Sequence, residues 1–133
     1  MGRVAAIDFG EKRIGIALSD KGRKMALPVG IVEGGKKGIQ NIKNSLPLQE
    51  VDLILVGLPL EMSGKKGAMA EKVEAFGKRL EEALGIPVLF IDERLSSKGA
   101  DAQLRELSLN RKERSERVDM VSASLLLETY LNQ

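Results

Sequence analysis

The sequence predicts an α/β protein with a five-stranded mixed sheet. An antiparallel three-strand meander is followed by two parallel strands, with helices on both faces. Three observations predict this. Short β-prone runs separated by Gly-containing turns open the chain. The run over 51–56, Val-Asp-Leu-Ile-Leu-Val, does not alternate, which is the habit of a central parallel strand covered on both faces. The later strands are separated by segments whose apolar residues recur at helical spacing. With 133 residues the chain can build one core, so 1–133 is read as a single domain.

The first strand is the apolar run Val4-Ala5-Ala6-Ile7, ending at Asp8. Phe9 to Arg13 make the turn, and Ile14 to Leu18 return as the second strand. Gly10 is expected to supply a backbone angle that other residues avoid. Asp20-Lys21-Gly22 reads as another tight turn, and 25–32 as a third strand, with Pro28 tolerable on an edge. Glu33-Gly34-Gly35 ends it. A helix is predicted over 36–48, with Ile39, Ile42 and Leu46 on one face and Pro47 limiting its last turn.

The fourth strand stops at Gly57-Leu58-Pro59, before a loop over 60–67 rich in Gly and Lys, read as a mobile basic lid. The clearest amphipathic helix is 68–84, with Met69, Val73, Phe76, Leu80 and Leu84 as its stripe and Gly85 and Pro87 as its stop. The fifth strand, 88–91, ends in Asp92-Glu93-Arg94. Ser96 or Ser97 can cap a helix running to 107. The stretch 108–115 is polar and basic and reads as a mobile link. The last helix is predicted over 116–132, apolar around much of its circumference and therefore buried. Right-handed crossovers place the C-terminal ends of strands one, four and five on one edge, where open sheets bind ligands.

Composition narrows the chemistry. There is no cysteine and no histidine, which excludes thiolate zinc sites, imidazole-ligated metals and triads built on histidine. Any metal would take oxygen ligands, which suits magnesium or manganese. No run approaches the roughly 18 apolar residues of a membrane span, no signal peptide is visible, and the cytoplasm is the default location. The net charge of +2 is too small to argue for a nucleic-acid partner by itself. With only Phe9, Phe76, Phe90 and Tyr130 as aromatics, binding by rows of stacked bases is disfavoured.

Asp8 is open to two readings, a turn residue before Gly10 or a metal ligand. Lys12 and Arg13 in the same turn add cations that could meet a phosphate. Asp119 is expected in the first turn of the last helix, with Ala123 and Leu126 four and seven residues on. It would thus point to the packed side and need a cation. That cation is either a metal or an arginine, Arg117 or Arg94, and charge complementarity at the helix start is a further reading. Of Asp92 and Glu93 only one can point inward, and Glu93 is favoured. Three acids from three elements could hold one or two hard cations and support phosphodiester hydrolysis without histidine.

Four segments then resemble the YqgF (RuvX) family, in its order and across nearly the whole chain. They are Asp8-Phe9-Gly10-Glu11-Lys12-Arg13-Ile14-Gly15-Ile16-Ala17, Val56-Gly57-Leu58-Pro59-Leu60 with Gly64 and Gly67, Asp92-Glu93-Arg94-Leu95-Ser96, and Arg117-Val118-Asp119 with Ala123. The resemblance implies a ribonuclease H-like fold over 1–133. It also implies a nuclease processing the 5′ end of pre-16S rRNA, with Holliday junction resolution on branched DNA as the older assignment. It makes Asp8, Glu93 and Asp119 the metal-binding catalytic acids. Lys12, Arg13 and Arg94 would meet the phosphates; apart from the resemblance, Lys65 and Lys66 of the basic loop are expected to contact substrate. Related nucleases usually carry an acid where strand four ends, and here Gly57 stands there. Glu61 is a candidate substitute, and the number of ions is left open. The missing acid also motivates a third reading, a nucleic-acid-binding module with little catalysis. The chain is expected to act as a monomer or weak homodimer. An actin-like ATPase half is disfavoured, because no second phosphate loop occurs.

Overall fold

The computed structural model describes residues 2–93 and 111–133, and over 111–120 the backbone alone. Its strands are β1 (Arg3–Asp8), β2 (Arg13–Ser19), β3 (Ala26–Glu33), β4 (Val51–Leu58) and β5 (Val88–Asp92). Its helices are α1 (Gly38–Ser45), α2 (Ala68–Leu84) and α3 (Arg111–Leu131). The helix expected over 96–107 lies outside the described residues. The strands form one sheet in the order β3-β2-β1-β4-β5. β1–β2 and β2–β3 are antiparallel, and β1–β4 and β4–β5 are parallel.

The pleat divides β1 between two cores. Ala5 and Ile7 pack with Ile42 of α1 and with Val73, Phe76 and Leu80 of α2. Val4 and Ala6 pack with Ala123, Leu126 and Leu127 of α3. β4 divides the same way, Ile54 and Val56 to one side and Leu55 to the other. Coverage on both faces explains why the run 51–56 does not alternate.

Several boundaries differ from expectation for local reasons. The helix foreseen over 36–48 is shorter: a 3-10 turn at Gly35–Lys37, α1 proper, and a second 3-10 turn at Leu48–Glu50. Leu46 is extended (φ −118°, ψ 143°), as a residue preceding proline should be. In α2 the buried stripe is Ala70, Val73, Phe76, Gly77 and Leu80, while Met69 is 39% exposed. α3 is already helical at Arg111, the first described residue of this segment, and not only from 116, so the described part of the link over 108–115 is helical. Arg111-Lys112-Glu113-Arg114 are good helix formers whose polarity hid the helix from an apolar-periodicity test.

Gly10 is also corrected. Its φ is not positive; positive φ occurs at Gly30, Gly35, Gly64, Gly85 and Arg23. A Cβ at Gly10 would instead lie 2.4 Å from the Arg13 carbonyl oxygen. One at Gly34 would lie 2.7 Å from the Glu11 carbonyl oxygen, and the Gly34 N–H donates to the Lys12 carbonyl at 2.9 Å. Both glycines are there for close backbone approach, which folds the β1–β2 turn against the end of β3.

Candidate active site

Asp8 closes β1. By the pleat it lies on the side of Val4 and Ala6, which α3 covers, and it is only 8% exposed. Glu93 follows β5 directly. Its N–H donates to the Leu58 carbonyl at 3.1 Å, extending the parallel ladder one step. Glu93 shares the parity of Ile91, which packs into the α3-side core. The same pleat sends Asp92 to the opposite side.

Gly57 lies between the two acids. Ile7 is in register with Val56, and Gly57 with Ile91. A Cβ on Gly57 would lie 2.9 Å from Leu126 Cδ1 and 3.5 Å from Glu93 Cδ. The Glu93 carboxyl group therefore lies over the end of β4, on the α3 side, in the space a side chain at 57 would need. β1 and β5 are two strand spacings apart, roughly 10 Å. By leaning over β4, Glu93 bridges part of that span toward Asp8.

Asp119 belongs to α3, four and seven residues before Ala123 and Leu126, which are fully buried against the sheet. The helix starts eight residues before it, so Asp119 is not in the first turn. Charge complementarity at the helix start thus loses its basis, because that effect fades within a turn. The side chain of Asp119, and Arg94 altogether, lie outside the described residues. Among the described residues no group of three potential metal-binding side chains gathers.

The cations are distributed around this rim. Lys12 and Arg13 line two shallow depressions of about 440 and 460 Å³ at the β1–β2 turn. Lys65 and Lys66 stand in a compact loop. Gly64 N–H donates to the Glu61 carbonyl at 2.8 Å, Glu61 N–H donates to the Lys65 carbonyl at 2.9 Å, and Leu60 bridges to Lys66. Lys66 pairs with Glu74 of α2 at 2.9 Å. The loop read as a mobile lid is thus closed on itself by hydrogen bonds. A Cβ on Gly67, which caps α2, would lie 3.0 Å from Glu61 Oε1, so that carboxylate is drawn to the helix N-terminus.

Sequence reasoning missed the pair Lys72 Nζ–Glu11 Oε1, 2.7 Å. The ammonium of Lys72 holds the Glu11 carboxyl below the usual carboxylate range. These residues are 61 positions apart, and no local pattern links them. It also missed a cleft behind Phe9, described below.

A meander joined to parallel strands, with acids at the ends of β1 and β5, defines the ribonuclease H-like class. Solved structures agree on the fold. The fowlpox virus resolvase complexed with Holliday junction DNA matches with a TM-score of 0.55 and 14% identity, over 98% of this chain and 97% of that one. RuvC of T. thermophilus, also bound to a Holliday junction substrate, matches with a TM-score of 0.50 and 19% identity, over 95% and 92%. The family model described as "RuvX: Holliday junction resolvase" matches residues 2–133, and the chain belongs to this family. Similar relatives include a protein of Protochlamydia amoebophila, 40% identical over 98% of this chain and 93% of its own length. Another, of Syntrophomonas wolfei, is 42% identical over 98% and 94%. Each is named "Putative pre-16S rRNA nuclease".

Proposed function

We propose that this chain, acting as one domain, is a metal-dependent nuclease that hydrolyses phosphodiester bonds in structured RNA. The substrate is the 5′ region of pre-16S rRNA in the cytoplasm, as the names of its relatives suggest. The observation that carries the reading is the Glu93 carboxyl group lying over Gly57, on the side of the sheet that Asp8 faces. The proposed metal ligands are Asp8, Glu93 and Asp119. Their oxygens suit magnesium or manganese, and Asp8 stands nearly buried at a strand end, at the rim of the sheet. A divalent ion bound there would lower the pKa of an attacking water and stabilise the leaving oxygen.

The chain's own residues supply the rest. Lys12 and Arg13, fixed by the close-packed turn at Gly10 and Gly34, meet the phosphates flanking the scissile one. Arg94 follows Glu93 directly and holds the phosphate nearest the acids. Lys65 offers a further contact from its loop, and Lys66 does so after leaving Glu74. Glu61, drawn toward α2, is not assigned a ligand role. In this account Gly57 leaves the set at three acids.

The test offers the protein a structured RNA carrying the 5′ leader stem of 16S rRNA and, separately, a four-way DNA junction, each with magnesium and with manganese. The expected result is metal-dependent cutting of the RNA that Asp8→Asn abolishes. Preferential cutting of the junction would establish resolvase activity instead. Cutting of neither would leave a nucleic-acid-binding module.

A further inference from the structure

Behind the β1–β2 turn, on the side of the sheet away from Asp8, lies a cleft of about 430 Å³ between α1 and α2. Its apolar wall is Phe9, Phe76 and Ile39, and its rim carries Lys36, Arg79 and Glu11. Phe9 packs on Phe76 with ring centroids 4.4 Å apart. Phe76 is nearly buried, whereas Phe9 stays partly open to the cleft. The carboxylate of Glu11 is already taken by Lys72. Among the described residues neither Lys36 nor Arg79 forms an ion pair. The cleft thus combines a partly exposed aromatic ring with two cations that no described carboxylate neutralises.

Its position gives the ligand. Phe9 directly follows Asp8, and the two side chains go to opposite faces of the sheet. Three depressions run around the turn. The cleft shares Glu11 with the next, and that one shares Lys12 and Arg13 with the third. A strand whose phosphate lies at the acids can cross the tip, past Lys12, into the cleft.

We propose that this cleft is a subsite for one unpaired nucleotide of the nucleic acid that the acids cut. The base lies against Phe9 and Ile39, and its phosphate lies between Lys36 and Arg79. An aromatic face accepts any base, so the subsite reads strandedness and not sequence. The volume suits one nucleotide and is too small for a duplex. The inference rests on the nuclease reading for the identity of the strand.

The test is binding by the Asp8→Asn protein, which keeps the substrate whole. Two fluorescein-labelled RNA hairpins are compared, one blunt and one with a three-nucleotide single-stranded extension. The extended hairpin is expected to bind more tightly by about fivefold or more, the range for stacking one base. Phe9→Leu, which keeps apolar packing without the ring, and the double variant Lys36→Ala/Arg79→Ala should each erase that advantage. Both should leave blunt-hairpin affinity unchanged, measured at a temperature where each variant is folded, because Phe9→Leu also loses the ring contact with Phe76. No advantage for the extension, or equal weakening of both hairpins, overturns the subsite. Cutting by the unsubstituted protein is scored separately. If neither hairpin is cut and the Phe9-dependent advantage persists, the subsite stands and the nuclease reading falls.

Discussion

A Cβ at Gly57 would crowd Leu126 Cδ1 at 2.9 Å and meet Glu93 Cδ at an ordinary contact distance of 3.5 Å. Leu126 comes from α3 and Glu93 from the end of β5. Gly57→Ala should cost about 1–3 kcal/mol by overpacking, read from urea unfolding. Gly57→Asp, whose carboxylate would extend from the Cβ toward the Glu93 carboxyl group, should be less stable still and should also lower cleavage. Recovered or increased activity would contradict the steric account. Asp20 is a second residue with a readable consequence. Its carboxylate accepts N–H bonds from Met25 at 2.9 Å and Lys24 at 2.7 Å. These bonds, Met25's first, hold its carboxyl below the ordinary range. A depressed carboxyl stabilises the fold above its unfolded pKa, near 4, and that stability fades as pH falls through the lower folded value. Asp20→Asn should therefore be less stable than the parent at pH 6, with the gap closing as pH drops below about 4. Urea melts across that range check it.

Among the elements, the strands and α2 were legible because their signals are local. Short apolar runs on either side of a Gly-containing turn marked β1 and β2, the absence of alternation marked β4, and Gly85, at φ 68°, ended α2 where expected. The onset of α3 was not legible, because a helix of Arg, Lys and Glu shows no apolar stripe there. Asp8 and Glu93 could be nominated from the strand ends alone. The reach of Glu93 over Gly57 could not, since it depends on β4–β5 register and on Leu126, far along the chain. α2 offers a direct test of its packing. Leu80 is fully buried between helix and sheet. Leu80→Ala should cost about 2–5 kcal/mol, measured by denaturant unfolding, with the spread set by how far the site collapses. At the β1–β2 turn, Gly10→Ala should destabilise by overpacking even though its φ is ordinary, because a Cβ would meet the Arg13 carbonyl. A neutral result would reinstate a purely conformational role for that glycine.

For the whole molecule, helices on both faces leave the C-terminal rim of the sheet as the place where separate elements converge. β1 brings Asp8 there, β5 leads to Glu93, and α3 packs on the same face of the sheet through Ala123, Leu126 and Leu127. Chain order hides this convergence, and only the crossover topology, β1 beside β4 beside β5, makes it intelligible. The basic turn at Lys12 and Arg13 should make substrate affinity fall as salt rises. Replacing both with alanine should flatten that dependence, in proportion to the number of phosphates no longer neutralised. The central claim is that these acids share one divalent ion. Its most direct test is titration with manganese followed by electron paramagnetic resonance, on the parent protein and on Asp8→Asn, Glu93→Gln and Asp119→Asn. The account predicts saturable binding in the parent, weakened at least about tenfold by each single substitution. Undiminished binding in any one of the three folded variants would contradict it.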